Sequence, residues 1–347
     1  MARRYVSLKE VASRAGVSFQ TASKVLNGGS VRVAPDTAAR IAAAARELGY
    51  SPNSVARSLV RRSTMTIGLV AGSLHDPALA EFVLGAELAA RQHGLSVLVS
   101  NLTDSAQEGA DVVEALIERR VDGIIAAAPQ LEEDVQVADL LRRFVPAVSL
   151  HHVEGGGVPL VGSSHREVAV LALRHLLELG CRRIATVAGP TGRRVVRSRL
   201  RGAAEVIATS GSEVDAGIAE ADWTPGGAAR AATELIAREP GIDAVFVHSD
   251  LMAVGVLDAL HRLGRRVPDD VAVVSCDDLA FAAYLRPSLS TIRLPFLDTG
   301  AAAVELLLRR VGGEPVPADP VLLPVELVRR DSSARLLAIR PSRKECP

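Results

Sequence analysis

From Thr66 onward the chain alternates between short apolar runs and longer amphipathic segments, and this alternation restricts the possible folds more than any other feature. It predicts strands at 67–70, 96–99, 123–126, 145–150, 160–161, 184–187, 244–247 and 271–274. Helices are expected between them, at 80–93, 109–120, 168–179, 200–209, 226–238 and 252–263. Runs such as Ile67-Gly68-Leu69-Val70 read as buried strands. Strand and helix in regular succession make parallel sheets with helices on both faces. The pattern occupies about 260 residues in two similar stretches, which implies two such lobes with a cleft between them. Ligands of open α/β sheets bind beyond the carboxyl ends of the strands, so the strand-end loops are where a site belongs.

The first 63 residues have a different character. They hold eleven Lys or Arg against three Asp or Glu, a balance of +8, whereas the whole chain of 347 residues is neutral. The remainder therefore carries twenty-nine basic against thirty-seven acidic residues, a balance of −8. A basic head on an acidic body suits a module for a polyanion. Ser7-Leu8-Lys9-Glu10 is a capping box, with Leu8, Val11, Ala12 and Ala15 at helical spacing behind it. Gly16 breaks that helix, and Ser18 is an N-cap for the next. There Ala22, Val25 and Leu26 form a narrow apolar stripe, leaving Phe19, Gln20, Thr21, Ser23 and Lys24 to point outward. Two short helices joined by a tight Gly-containing turn make a helix-turn-helix, whose second helix offers base edges its N-terminal residues. A third helix is expected from Pro35 to a Gly49 cap, its Ile41, Ala45 and Leu48 closing a three-helix core. Residues 55–60 could add one or two helical turns, too few to be stable without DNA or a partner subunit.

Other classes fit poorly. Cys181, Cys276 and Cys346 are too scattered for a disulfide framework or a metal motif, which points to a reducing compartment, and no metal ligand or cofactor is assigned. No apolar run approaches the ~18 residues of a membrane span, and no signal peptide is evident, so a cytoplasmic protein without membrane contact is expected. A transport solute-binding protein would need that signal and would not need the basic head. No strand leads into G-x-G-x-x-G or G-x-x-x-x-G-K-[ST], and no Ser, His and Asp set occupies a nucleophile elbow. No catalytic residue is assigned, and the chain is not expected to be an enzyme.

The chain resembles the lactose-repressor (LacI/GalR) family of bacterial transcription factors over almost its whole length. The resemblance rests on Leu8-Lys9-Glu10-Val11-Ala12, Ala15-Gly16-Val17-Ser18, Ser23-Lys24-Val25-Leu26-Asn27-Gly28, Leu48-Gly49-Tyr50-Ser51-Pro52-Asn53 and Ala56-Arg57-Ser58-Leu59. Further along come Arg120-Val121-Asp122-Gly123, Ser249-Asp250-Leu251-Met252-Ala253, Val267-Pro268-Asp269-Asp270 and Pro287-Ser288-Leu289-Ser290-Thr291. It implies a helix-turn-helix domain at 1–50, a hinge helix at 51–63 and an effector-binding core at 64–332, resembling periplasmic sugar-binding proteins. The core would comprise an N-lobe of about 64–161 and 293–320 and a C-lobe of about 162–292 and 321–332, with a flexible tail at 333–347. Assembly as a homodimer or tetramer on a palindromic double-stranded operator is implied, with repression switched by a small molecule.

For DNA, Ser18, Phe19, Gln20, Thr21, Ser23, Lys24 and Asn27 are the expected contacts, with Asn53, Ala56, Arg57 and Leu59 from the hinge. Gln20 can pair bidentately with adenine, and Phe19 offers an apolar edge to a thymine methyl. Leu59 would be a wedge between base pairs in the minor groove. For the effector the expected residues are Asp76, Arg193, Arg199, Trp223, Ser249 and Asp277. The chain departs from the family in Ser73, Ala78, Leu79, Ser163 and Leu294, losing rings on which a flat ligand stacks. Arg193, Arg194, Arg197 and Arg199 are expected to cluster in the loop after strand 184–187, favouring an anionic effector such as a sugar phosphate or an acid.

Overall fold

A computed structural model describes residues 6–26, 33–51, 63–102, 108–153, 156–210 and 215–334. The expected contacts Asn27, Asn53, Ala56, Arg57 and Leu59, and the tail from 335 onward, lie outside the described residues.

Three helices build the head: α1 (Leu8–Arg14), α2 (Phe19–Leu26) and α3 (Pro35–Leu48). Ser7 caps α1 in a complete capping box, its backbone N–H donating to Glu10 Oε2 at 2.7 Å. Gly16 (φ +63°) and Gly49 (φ +67°) make the turns that end α1 and α3, a backbone region glycine enters without steric cost. Val11, Ala22 and Ile41 have no exposed surface, and Val25, Leu26 and Leu48 pack against them.

The body holds two sheets. In the first lobe β1 (Thr66–Ala71), β2 (Ser96–Asn101), β3 (Gly123–Ala127) and β4 (Ala147–Ser149) run parallel in the order β2-β1-β3-β4. A bridge from Ser149 to Leu160 joins β4 to the pair β5 (Val161–Ser163) and β11 (Val321–Leu323). Helices α4 (Pro77–Gln92), α5 (Glu108–Glu118) and α6 (Val135–Arg143) connect the strands. In the second lobe α7 (His165–Glu178), β6 (Ile184–Ala188), α8 (Arg194–Ser210), β7 (Asp215–Glu220), α9 (Pro225–Arg238), β8 (Ala244–Val247), α10 (Asp250–Arg262) and β9 (Ala272–Asp277) alternate. With β10 (Ser290–Arg293) and β12 (Glu326–Val328) they give the order β12-β10-β9-β8-β6-β7, parallel except for β12. Helix α11 (Phe296–Val311) returns to the first lobe and crosses α4 at reciprocal glycines. A Cβ on Gly85 would lie 2.1 Å from the Leu297 carbonyl oxygen, and one on Gly300 2.2 Å from that of Phe82, so only glycine permits this approach.

Three crossings join the lobes, between β5 and α7, β10 and α11, and β11 and β12. The expected boundaries at 162 and 321 shift accordingly, because Gly162 and Ser163 pair with β11, whose Val321 and Leu323 pack on the first lobe. At the other limits, Ser63 belongs to the core, since its hydroxyl donates to Asp122 at 2.6 Å. Ser333, expected in a flexible tail, is instead buried with its hydroxyl 2.8 Å from His175 Nε2.

Candidate functional site

Two surfaces hold the residues singled out in the sequence. On the head, Phe19, Gln20 and Lys24 are exposed along α2, and Thr21 and Ser23 are half-buried. Ser18 is engaged locally: its hydroxyl accepts from the Thr21 N–H at 3.1 Å and lies 2.8 Å from the Thr21 hydroxyl. Phe19 leaves half its surface exposed on a helix whose inner face is already packed, so the ring is free for an apolar contact.

Below the head, Asp122 anchors the start of the core. It accepts from the Ser63 hydroxyl and, at 2.7 Å, from the Thr64 N–H, and Thr64 donates its hydroxyl to the Arg120 carbonyl. The segment leading to the head therefore leaves from a fixed point on the first lobe.

The second surface is the cleft between the lobes. From the first lobe Asp76 caps α4, accepting from the Ala78 N–H at 3.0 Å. Desolvation pushes its carboxyl up, opposed by the Ala78 and Leu79 N–H groups and by the Arg199 charge across the gap. From the second lobe Arg199 is 4% exposed; Nη1 donates to the His248 carbonyl and Nη2 to His165 Nδ1 at 3.3 Å. That contact makes His165 Nδ1 an acceptor and places its proton on Nε2. Burial, then the neighbouring Arg199 charge, holds both His165 and His248 well below the usual imidazole range, so both are neutral at pH 7.

Asp277 ends β9 with φ +127° and is followed by Asp278 at φ +62°, two side-chain-bearing residues in a region glycine favours. Burial pushes the Asp277 carboxyl well up, reinforced by the negative charge of Asp250 and opposed by Arg199. Asp250 holds this turn in place. It has no exposed surface and accepts from the Ser275 hydroxyl, the Thr291 hydroxyl (2.7 Å) and the Leu279 N–H (2.7 Å). Burial outweighs those donors and pushes its carboxyl up to about 6. Asp278 is tied outside the cleft by Arg293 at 2.7 Å and Arg330 at 2.6 Å. Trp223, also at positive φ (+66°), lies flat against Gly189, where a Cβ would come within 2.3 Å of the indole.

One expectation for the cleft needs correction. Arg194, Arg197 and Arg199 are not in a loop with Arg193, because α8 begins at Arg194 and disperses them around its axis. Arg193 reaches the Pro129 carbonyl (3.5 Å) and Arg197 reaches Glu133 (3.4 Å), both on the opposite lobe, and Arg199 is the one of the four that is buried. Ser249 uses its hydroxyl to cap α10, accepting from the Met252 N–H at 3.1 Å. The structure adds His165, His248, Asp250 and Gln130, whose Oε1 is buried without a partner. Each lies at or just beyond a strand end or helix start, the signal by which they could have been found. Among the described residues no cluster of three His, Cys, Asp or Glu side chains could hold a metal ion, and no helix is long and apolar enough to cross a membrane.

A helical DNA-binding head on a two-lobed, cleft-bearing α/β core defines the class of ligand-responsive DNA-binding regulators. Residues 7–53 match the family model for bacterial regulatory proteins of the lacI family, and 173–333 that for a periplasmic binding protein-like domain. The ribose operon repressor of Halalkalibacterium halodurans is 32% identical over 94% of this chain and 97% of its own. The crystal structure of the Lac repressor dimer bound to operator and the anti-inducer ONPF superposes with a TM-score of 0.88 at 31% identity, covering 95% of this chain and 99% of that one. The complex of the transcriptional regulator CelR with cellobiose gives a TM-score of 0.72 at 32% identity, covering 94% and 99%. The chain belongs to the lacI family of bacterial regulatory proteins. It is a DNA-binding transcriptional regulator and not an enzyme.

Proposed function

We propose that this regulator is a cytoplasmic repressor that grips a palindromic operator as a homodimer and is switched by a neutral, sugar-like effector in the interlobe cleft. The observation that carries the effector reading is Arg199, a buried guanidinium facing carboxylates from both lobes, Asp76 and Asp277. Such a set suits hydroxyls, which accept from Arg and donate to carboxylates at once. With the four arginines dispersed and not clustered in one loop, the main argument for a phosphorylated or acidic ligand falls away. The relatives named for ribose and crystallised with cellobiose support the same chemistry.

An effector touching Asp76 on one side and Arg199 and Asp277 on the other favours the closed arrangement of the lobes. The contacts of Arg193 and Arg197 with 129–133 belong to that arrangement. Because Asp122 fixes Ser63 and Thr64 to the first lobe, rotating the lobes moves the point from which each hinge departs. In a dimer, two hinges carrying Leu59 must meet over one minor groove, so a change in their separation changes operator affinity. Leu84 and Leu88, one turn apart and exposed on α4, and Tyr284, 80% exposed, support a paired assembly.

Thermal shift of the full-length protein against neutral sugars and their phosphates tests this. A neutral sugar at a hundred times its dissociation constant should add ~2.7 kcal/mol of stability. Stabilisation by the phosphate esters and not by the sugars would contradict it.

A further inference from the structure

In the second lobe the sheet order reverses between β6 and β8: the chain goes from β6 out to the edge strand β7, returns to β8, then proceeds through β9 and β10. A crevice opens at such a switch point, beyond the strand ends. His248 is the first residue after β8 and stands at that point. Its backbone is held on both sides, the N–H donating to the Val187 carbonyl at 3.0 Å and the carbonyl accepting from Arg199. Its ring lies against Phe246, centroids 5.2 Å apart at 56°.

The side chain has no exposed surface, yet neither ring nitrogen has a hydrogen-bond partner among the described residues. Arg199 Nε, beside it, is likewise buried and unpaired, although both terminal nitrogens of that guanidinium are engaged. A buried polar group left without a partner costs about 1–3 kcal/mol, so unpaired nitrogens on two residues in direct contact mark a place completed by something else. Neutral imidazole has one donor and one acceptor nitrogen, and Nε–H is a donor only. One hydroxyl satisfies the pair Nε–H and imidazole nitrogen, accepting from the first and donating to the second. A carboxylate or a fully ionised phosphate has no proton to give and pairs only with the tautomer whose N–H faces it, whereas a hydroxyl fits either tautomer.

We propose that His248 is a specificity-determining residue of the cleft: with Arg199 Nε it takes one hydroxyl of the effector and thereby selects neutral hydroxylated ligands over acids and phosphate esters. The inference rests on the cleft being the effector site.

The test uses the full-length protein, calorimetry with D-ribose, cellobiose and ribose 5-phosphate, and two variants. His248→Phe keeps the ring and its packing on Phe246 but has no nitrogen; His248→Gln restores one donor and one acceptor. The parent should bind a neutral sugar of this set more tightly than the phosphate, the Phe variant should weaken that binding about tenfold or more, and the Gln variant should recover part of the loss. In the parent, saturation with that sugar should also shift the ring ¹⁵N resonances of His248, a readout that needs no substitution. Unchanged affinity in the Phe variant, a Gln variant no better than Phe, ring resonances that ignore the sugar, or tighter binding of the phosphate would each overturn the proposal. Failure of the underlying reading looks different: the parent itself would bind none of the three, which overturns the effector reading and this inference with it.

Discussion

Replacing Asp250 by Asn tests whether burial or hydrogen bonding governs the carboxylate that holds the Asp277 turn. Its carboxyl stands at about 6 against an ordinary 3.8, because desolvation exceeds the help of Ser275, Thr291 and the Leu279 N–H. Below pH 3.8 the group is protonated in both folded and unfolded chains and contributes nothing to the pH dependence. Between 3.8 and about 6 the folded chain holds the extra proton, so stability is lost as pH rises through this window. Above it both states are ionised and the folded state bears the full penalty, about 3 kcal/mol for a displacement of this size. The amide of the Asp250→Asn variant has no such titration. Whatever constant offset the amide introduces, the unfolding free energy of Asp250→Asn relative to the parent should rise by about 3 kcal/mol from roughly pH 3.5 to pH 7. Urea unfolding of both proteins at four or five pH values, with equal m-values, measures it. A difference independent of pH would refute the reasoning, and one of opposite sign would mean that the three donors outweigh burial.

The head and the cleft offer further expectations. Gln20→Ala should cost about 1–3 kcal/mol at one base-pair position and relax specificity there, whereas Lys24→Ala should weaken all sequences alike and reduce the salt slope by about 1, both read by fluorescence anisotropy across a salt series. Gly189→Val should displace the indole of Trp223, since even a Cβ would come within 2.3 Å of it. As Trp223 is the single Trp of the chain, a shifted emission maximum with near-native unfolding would show this, and an unchanged spectrum would refute the stacking.

The head was legible because its signals are local. Ser7 with Glu10, Gly16, Pro35 and Gly49 each act within one turn of helix, so spacing alone locates α1, α2 and α3. The parallel lobes were legible because strands such as β3 are buried along their whole length and read as unbroken apolar runs. What failed was non-local. The first turns of α8 carry Arg194 and Arg197, which look like loop charges until the contact of Arg197 with the opposite lobe is known. Strand β7, Asp-Ala-Gly-Ile-Ala-Glu, is a half-exposed edge with little apolar pattern to see. Ser333 reads as the start of a polar tail, but it is buried with its hydroxyl on His175, just after Ser332 bonds to β9 and β10. In the cleft, Arg199, Trp223 and Asp277 were found through the resemblance, and His248 was missed because its meaning depends on the order of strands around it.

The central claim is that occupancy of the cleft changes the grip of the head on DNA. Operator affinity should be measured on DNA from upstream of the protein's own gene, with and without whichever neutral sugar raises thermal stability, for the parent and for Asp277→Asn. The account predicts an affinity change of about tenfold or more in the parent, equivalent to ~1.4 kcal/mol of coupling, and its loss in Asp277→Asn with sugar-free affinity intact. Equal operator affinity for the parent with and without saturating sugar would contradict it.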